Sequence, residues 1–191
     1  MRYPPEHKAE THQKIVKDAA LRVRGEGLTG AAVAAVMRDT GLTHGGFYKH
    51  FASKEALLTE SLNEAFQQFI GRLVQTAEQS RSAEPWKSIV KTFLSLEHCD
   101  DPGHGCPVAA LAPELARADA AVKAQAFADL VNYRDRMVPY MPGRRITDKE
   151  RAFFAIFSTM IGATQIARAM PSQEAKEKVL ASARDFLLRS F

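Results

Sequence analysis

The chain has 191 residues, 46% apolar and 25% charged, enough for a well-buried core in one domain or in one small and one larger. No apolar run approaches the length of a membrane helix, no apolar signal segment opens the sequence, and two cysteines cannot form a disulfide framework. These features argue against a membrane protein or a stapled secreted fold, and the expected location is the cytoplasm.

Helical periodicity runs throughout without sustained period-two alternation, so the expected fold is all-α. The first helix is predicted over about Glu6–Glu26, with Ile15, Ala19, Leu21-Arg22 and Val23 inward and Gly25 and Gly27 as its stop. Thr29–Arg38 reads as a second, Ala-rich helix ended by the turn Asp39-Thr40-Gly41. A short third helix is capped by Thr43 and anchored by Phe47 and Phe51, leaving His44, Tyr48, Lys49 and His50 on its other faces. Gly45 and Gly46 are poor helix formers, and one reason for them is a backbone that must approach something bulky. Ser53 caps the fourth helix, predicted over Ser53–Gln79. Glu55 lies in its first turn, and Lys54 sits where free N–H groups suit a phosphate.

Two short helices joined by a tight glycine-containing turn make a helix-turn-helix, whose second member enters the major groove of DNA. The charge distribution agrees. Residues 1–54 carry nine Lys/Arg against five Asp/Glu, whereas residues 55–191 carry seventeen of each. The whole surplus of +4 therefore sits around the motif, as a footprint for phosphates would.

Beyond it, the fourth helix places Leu57, Leu58, Leu62, Ala65, Phe66, Phe69, Ile70 and Leu73 at helical spacing. Pro85 opens a fifth helix, His98–Gly105 (HCDDPGHG) reads as a loop, and Pro107 starts a sixth that Pro113 bends or restarts. A seventh is predicted over Ala120–Tyr140. Thr147-Asp148-Lys149-Glu150 matches a capping box opening the eighth, which is apolar nearly all round. One face of that helix is expected to meet the core and another a second subunit. The ninth helix, after Ser172, offers Val179, Leu180, Ala183, Phe186, Leu187 and Phe191 as its partner stripe.

The segment VMRDTGLTHGGFYKHFASKEALL, Val36–Leu58, resembles the DNA-binding motif of the TetR family of bacterial transcriptional regulators. The shared elements are the turn before Gly41, Thr43 opening the recognition helix, Phe47-Tyr48, Phe51, and Ser53-Lys54-Glu55 with Leu57-Leu58 behind. One departure is Ala32, where the family commonly has Ser or Thr as a phosphate-touching cap; Thr29 is the alternative. The resemblance implies an N-terminal helix-turn-helix domain (1–52) and a larger helical effector-binding and dimerisation domain (53–191), about nine helices in all. It further implies a homodimer through the last two helices on an inverted-repeat operator, most simply a repressor, with no catalytic residues, cofactor, metal or membrane association.

Within the motif, Thr43, Tyr48, Lys54 and His50 are expected at phosphates. His44, Gly45 and Lys49 are expected at base edges, with Gly46 easing close approach. Phe66, Phe69, Trp86, Phe93, Tyr133, Met137, Phe157 and Met160 are candidate walls of an effector pocket. Cys106 precedes Pro107 at a helix start, where the dipole lowers a thiol pKa. The segment GCPVAALAPEL resembles that of a family subgroup, and some members sense oxidants or electrophiles with a cysteine in this region, so release by thiol modification at Cys106 is a second route. A reading of another class is a small helical enzyme or metal-dependent binding protein using the His98–Cys106 loop.

Overall fold

A computed structural model describes residues 5–29, 33–41 and 44–191 of the chain. Among the described residues there are ten α-helices and no strand: α1 (Pro5–Glu26), α2 (Val33–Thr40), α3 (His44–Phe47), α4 (Lys54–Glu78), α5 (Pro85–Phe93), α6 (Leu96–Asp100), α7 (Pro107–Leu115), α8 (Ala120–Met137), α9 (Ile146–Arg168) and α10 (Gln173–Ser190). A 3-10 turn at Val138–Tyr140 follows α8. No described helix is long and apolar enough to cross a membrane.

Apolar spacing on α4 organises the molecule into three buried clusters. Leu57 joins Ile15, Val16 and Ala19 of α1, Val36 and Met37 of α2, and Phe47 and Phe51 around α3. One turn on, Leu58 and Leu62 meet Val23 of α1, Leu111 of α7 and Val122 of α8. From Phe66 to Ala77 the same helix lines the largest core, with α5, α8, α9 and α10. One helix thus ties the helix-turn-helix to everything behind it. Each large aromatic here is worth ~3–5 kcal/mol against alanine.

Local chemistry sets most of the boundaries. Gly27 (φ +81°) and Gly41 (φ +69°) take the left-handed conformation just past α1 and α2, which glycine adopts without steric cost. Ser53 accepts the Ala56 N–H at 3.1 Å and starts α4 as expected. Three expectations change. Thr29 lies in the turn after α1 and α2 begins later, at Val33; Gly30–Ala32, including the missing-cap position, lie outside the described residues. The predicted loop at 98–105 is half helix, because Ser95 caps α6 by accepting the His98 N–H at 3.2 Å, which accounts for the helix beyond the nine expected. Arg145, not Thr147, caps α9, its side chain and N–H both bound to Asp148.

One feature was not anticipated. Arg24 sits on the inner face of α1, only 2% exposed, donating to the Ala65 carbonyl (2.9 Å) and the Gln68 side chain (2.8 Å) of α4. Desolvation and the neighbouring Arg72 lower its pKa to about 10, so it remains charged at neutral pH. The end of α1 is also held from α7, where Glu114 accepts the Leu28 N–H at 2.8 Å.

Candidate nucleic-acid interface and ligand cleft

The short α3 continues as a helical turn through Phe51, with the His50 and Phe51 N–H groups both donating to the Phe47 carbonyl (2.8 and 3.0 Å). Phe47 and Phe51 point into the first core, which turns the opposite side of this element outward. Tyr48 is 57% exposed with its ring edge-on to Phe47, and Lys49 is exposed next to it. Lys54 stands exposed at the first position of α4. A Cβ on Gly45 would meet nothing within 4 Å, and its φ is not positive. The fold of the free chain therefore does not require glycine there, as expected if the requirement comes from a bound partner.

Two candidates stand differently. His50 is half-buried with its Nδ1 unpartnered, beside His12, which stacks on Phe51 at 4.5 Å and pairs with Glu60 at 2.6 Å. Desolvation, and then His12, lower the His50 pKa, so it is a poor cation for phosphate. Thr43 and the His44 side chain lie outside the described residues. Gly46 is partly buried at the base of the turn, where its carbonyl accepts the Lys49 N–H.

The aromatic and methionine residues expected to wall a pocket are all buried, but they pack on one another. Phe66 is solid core, whereas Trp86, though buried, borders a separate surface cleft of about 440 Å³ with Pro139, Tyr140 and Phe191. Tyr133, Met137, Phe157 and Met160 enclose a void of about 10 Å³, room for one water at most. Phe69 and Phe93 do border open space, a cleft of about 380 Å³ between α4 and the α5–α6 segment. Arg72, Thr76, Thr92 and His98 complete much of its wall.

The His98–Cys106 segment is internally satisfied. His98 Nδ1 lies 2.7 Å from the Phe93 carbonyl and Nε2 accepts the Cys106 N–H at 3.0 Å, which assigns the neutral, Nδ1-protonated tautomer. Burial pushes its pKa down to about 4. Asp100 holds Lys176 and Gln173, and Asp101 pairs with His104. Among the described residues no group of three or more His, Cys, Asp or Glu is arranged to hold a metal.

Cys106 is fully buried, and its environment reverses the sequence expectation. The amides of Val108 and Ala109 at the start of α7 do favour a thiolate, but desolvation outweighs them and raises the thiol to about 12. Cys99, also buried, is raised too. The native protein at pH 8 is accordingly expected to alkylate with iodoacetamide on the order of 10³-fold more slowly than a free cysteine, with the gap closing in urea. Rapid native labelling at Cys106, read by mass spectrometry, would contradict the burial argument.

Residues 17–60, the helix-turn-helix with its flanking helices, match the family model of bacterial regulatory proteins of the tetR family. This segment is similar to the DNA-binding domain of TetR-family regulators. Known structures extend the TetR-like fold over the remainder. A TetR-family regulator from Cytophaga hutchinsonii superposes with a TM-score of 0.77 at 20% identity, spanning 99% of this chain and 98% of that one. NemR of E. coli in its reduced form gives 0.72 at 16% identity (92% and 96%). FadR of Bacillus subtilis in complex with stearoyl-CoA gives 0.66 at 16% identity (94% and 99%). No protein of curated function matches. TetR-family regulators bind DNA and are not enzymes. The segment that carries the family match is the one whose exposed side holds Tyr48, Lys49 and Lys54.

Proposed function

We propose that this chain acts as a homodimeric repressor, released from an inverted-repeat operator by a small molecule. The observation that carries the reading is the open space over Gly45 beside exposed Tyr48, Lys49 and Lys54, inside the segment holding all the net charge. In this reading Tyr48 and Lys54 meet phosphates, with Thr43. Gly45 lets the recognition element settle into the major groove, and Lys49 reaches base acceptors beside His44. Residues 1–52 form the DNA-binding unit and 53–191 the effector and dimerisation unit, joined through α4.

Among the fold neighbours, the FadR structure holds an acyl-CoA, which supports a small organic effector. Modification of Cys106 is the less supported route, since the thiol is buried, protonated and unreactive until the segment around it opens. The dimer is supported by Phe154 and Ile166 on α9 and Phe186 on α10, each more than half exposed.

Titrating the protein with DNA from its own upstream region across a salt series, against scrambled competitor, tests the reading. A specific complex with a steep salt slope is expected. Lys49→Ala should lower operator affinity by more than nonspecific affinity, whereas equal losses would reassign Lys49 to phosphate. Failure of random-sequence selection to enrich any site would sink the proposal.

A further inference from the structure

The 380 Å³ cleft has an uneven chemistry. Phe69, Leu73 and Phe93 make one apolar wall, and Arg72 stands over the Phe69 ring at 5.9 Å. Arginine carries five N–H donors in a planar fork, matched to carboxylates. Here a single donor contact is made, from Nη2 to the His104 carbonyl. No carboxylate lies within ion-pair distance of Arg72 among the described residues. The acids at the cleft make no ion pair with it: Asp101 is bound by His104, although its charge still acts on Arg72, and Glu97 is exposed at the rim. Arg24 lies close enough to add its own positive potential.

The carbonyl that Arg72 holds belongs to a loop resting on the DNA-binding unit. A Cβ on Gly103 would lie 3.6 Å from the Leu21 carbonyl of α1, and one on Gly25 would lie 4.0 Å from the Gly103 Cα. Gly103 thus lies backbone against backbone on the last turns of α1. The other end of the segment is held the same way, with Arg168 of α9 donating to the His98 and Cys99 carbonyls (3.3 and 3.0 Å). A ligand that pulls Arg72 toward itself and away from His104 therefore removes a contact from α4 that holds this loop in place beside α1.

Resting on the regulator reading above, we propose that this cleft takes a flat organic anion, an aromatic carboxylate in chemical class, whose carboxylate draws Arg72 from His104 and loosens the 101–105 loop from α1. The ring lies along Phe69 and Phe93, and Thr76 and Thr92 offer hydroxyls at the edges. Operator affinity falls by a factor in the usual range for coupled sites, ~5–150-fold.

The probe is 2-naphthoate, with 2-naphthamide as its uncharged counterpart, titrated calorimetrically into the full-length protein. The acid should bind at least ~10-fold more tightly than the amide, one charge-assisted contact's worth. Arg72→Gln should abolish the preference. Thr92→Glu places a competing carboxylate on the far wall while leaving Arg72 and the loop in place, so it should weaken the acid similarly even if Arg72→Gln folds poorly. Hydrogen exchange should quicken at 101–105 and in the last turn of α1 when the acid is bound. Equal binding of acid and amide, no binding of the acid, full affinity in Thr92→Glu, or unchanged exchange would each overturn the proposal. None of these measurements needs DNA, so such a result leaves the regulator reading standing. Naphthoate binding in a chain that enriches no DNA site would overturn that reading instead.

Discussion

A Phe154→Glu, Phe186→Glu double variant is expected to run as a monomer in analytical ultracentrifugation and to lose ~10²–10⁴-fold in operator affinity, with its helix content unchanged. The argument starts from exposure: Phe154 is 56%, Ile166 55% and Phe186 61% exposed, so glutamate at the two phenylalanines removes little buried area within one chain. Spacing adds to it. Phe154, Ser158, Ile161, Gln165 and Ile166 follow one another at three- and four-residue steps or adjacent positions on one side of α9. Gly162 lies on the same side, where a Cβ would meet nothing within 4 Å. A mid-helix glycine costs about 1 kcal/mol against alanine, and nothing in this chain calls for it, which fits the close approach of a partner helix. Two recognition elements on one operator act as linked modules, and breaking the link removes their mutual effective concentration. A double variant that stays dimeric would place the interface elsewhere; one that is monomeric yet binds undiminished would remove the need for a dimer.

The sequence was most legible where one residue decides one local feature. Ser53 as a cap, Gly27 and Gly41 as helix stops, and Leu57 through Leu73 as an inward stripe all follow from local geometry, and the structure agrees. Helix-turn-helix spacing and the one-sided charge carried the candidate site for the same reason. Readings that depended on burial by distant segments fared differently. The helix start at Cys106 signalled an acidic thiol, but the sign is set by desolvation, which depends on the residues from other helices packed around it. Eight bulky residues suggested a pocket, yet whether such side chains line space or fill it is decided by packing among α4, α5, α8 and α9. Nothing in the sequence singles out Arg24 or Arg72, and only the docking of α1 and the 101–105 loop on α4 gives them their roles.

The same lesson bears on His98, where the fold makes a pH-sensitive joint from a residue that reads as part of a polar loop. Its folded pKa, about 4, lies below the ordinary 6.5, so the native state binds fewer protons than the unfolded chain between those values. Stability from this group is therefore complete above pH 6.5 and is lost as pH falls toward 4, by up to about 3 kcal/mol. Urea unfolding at fixed protein concentration, at several points from pH 7.5 to 4.5, should show this loss in the wild type and a flatter profile in His98→Gln. The difference between the two proteins is the quantity to read. Carboxylates with lowered pKa values, such as Asp100, Asp101 and Asp148, weaken both proteins in acid, while buried Asp129, whose pKa is raised, acts in the opposite direction in both. Parallel profiles would show that His98 titrates as it does in the unfolded chain. The physical reason to expect otherwise is a conflict of donors. Protonation puts a hydrogen on Nε2, the atom that now accepts the Cys106 N–H, while Arg168 and Arg72 add positive potential from two sides and Asp101 offsets only part of it. Two N–H groups cannot share that position, so the α6–α7 connection must open for the proton to stay.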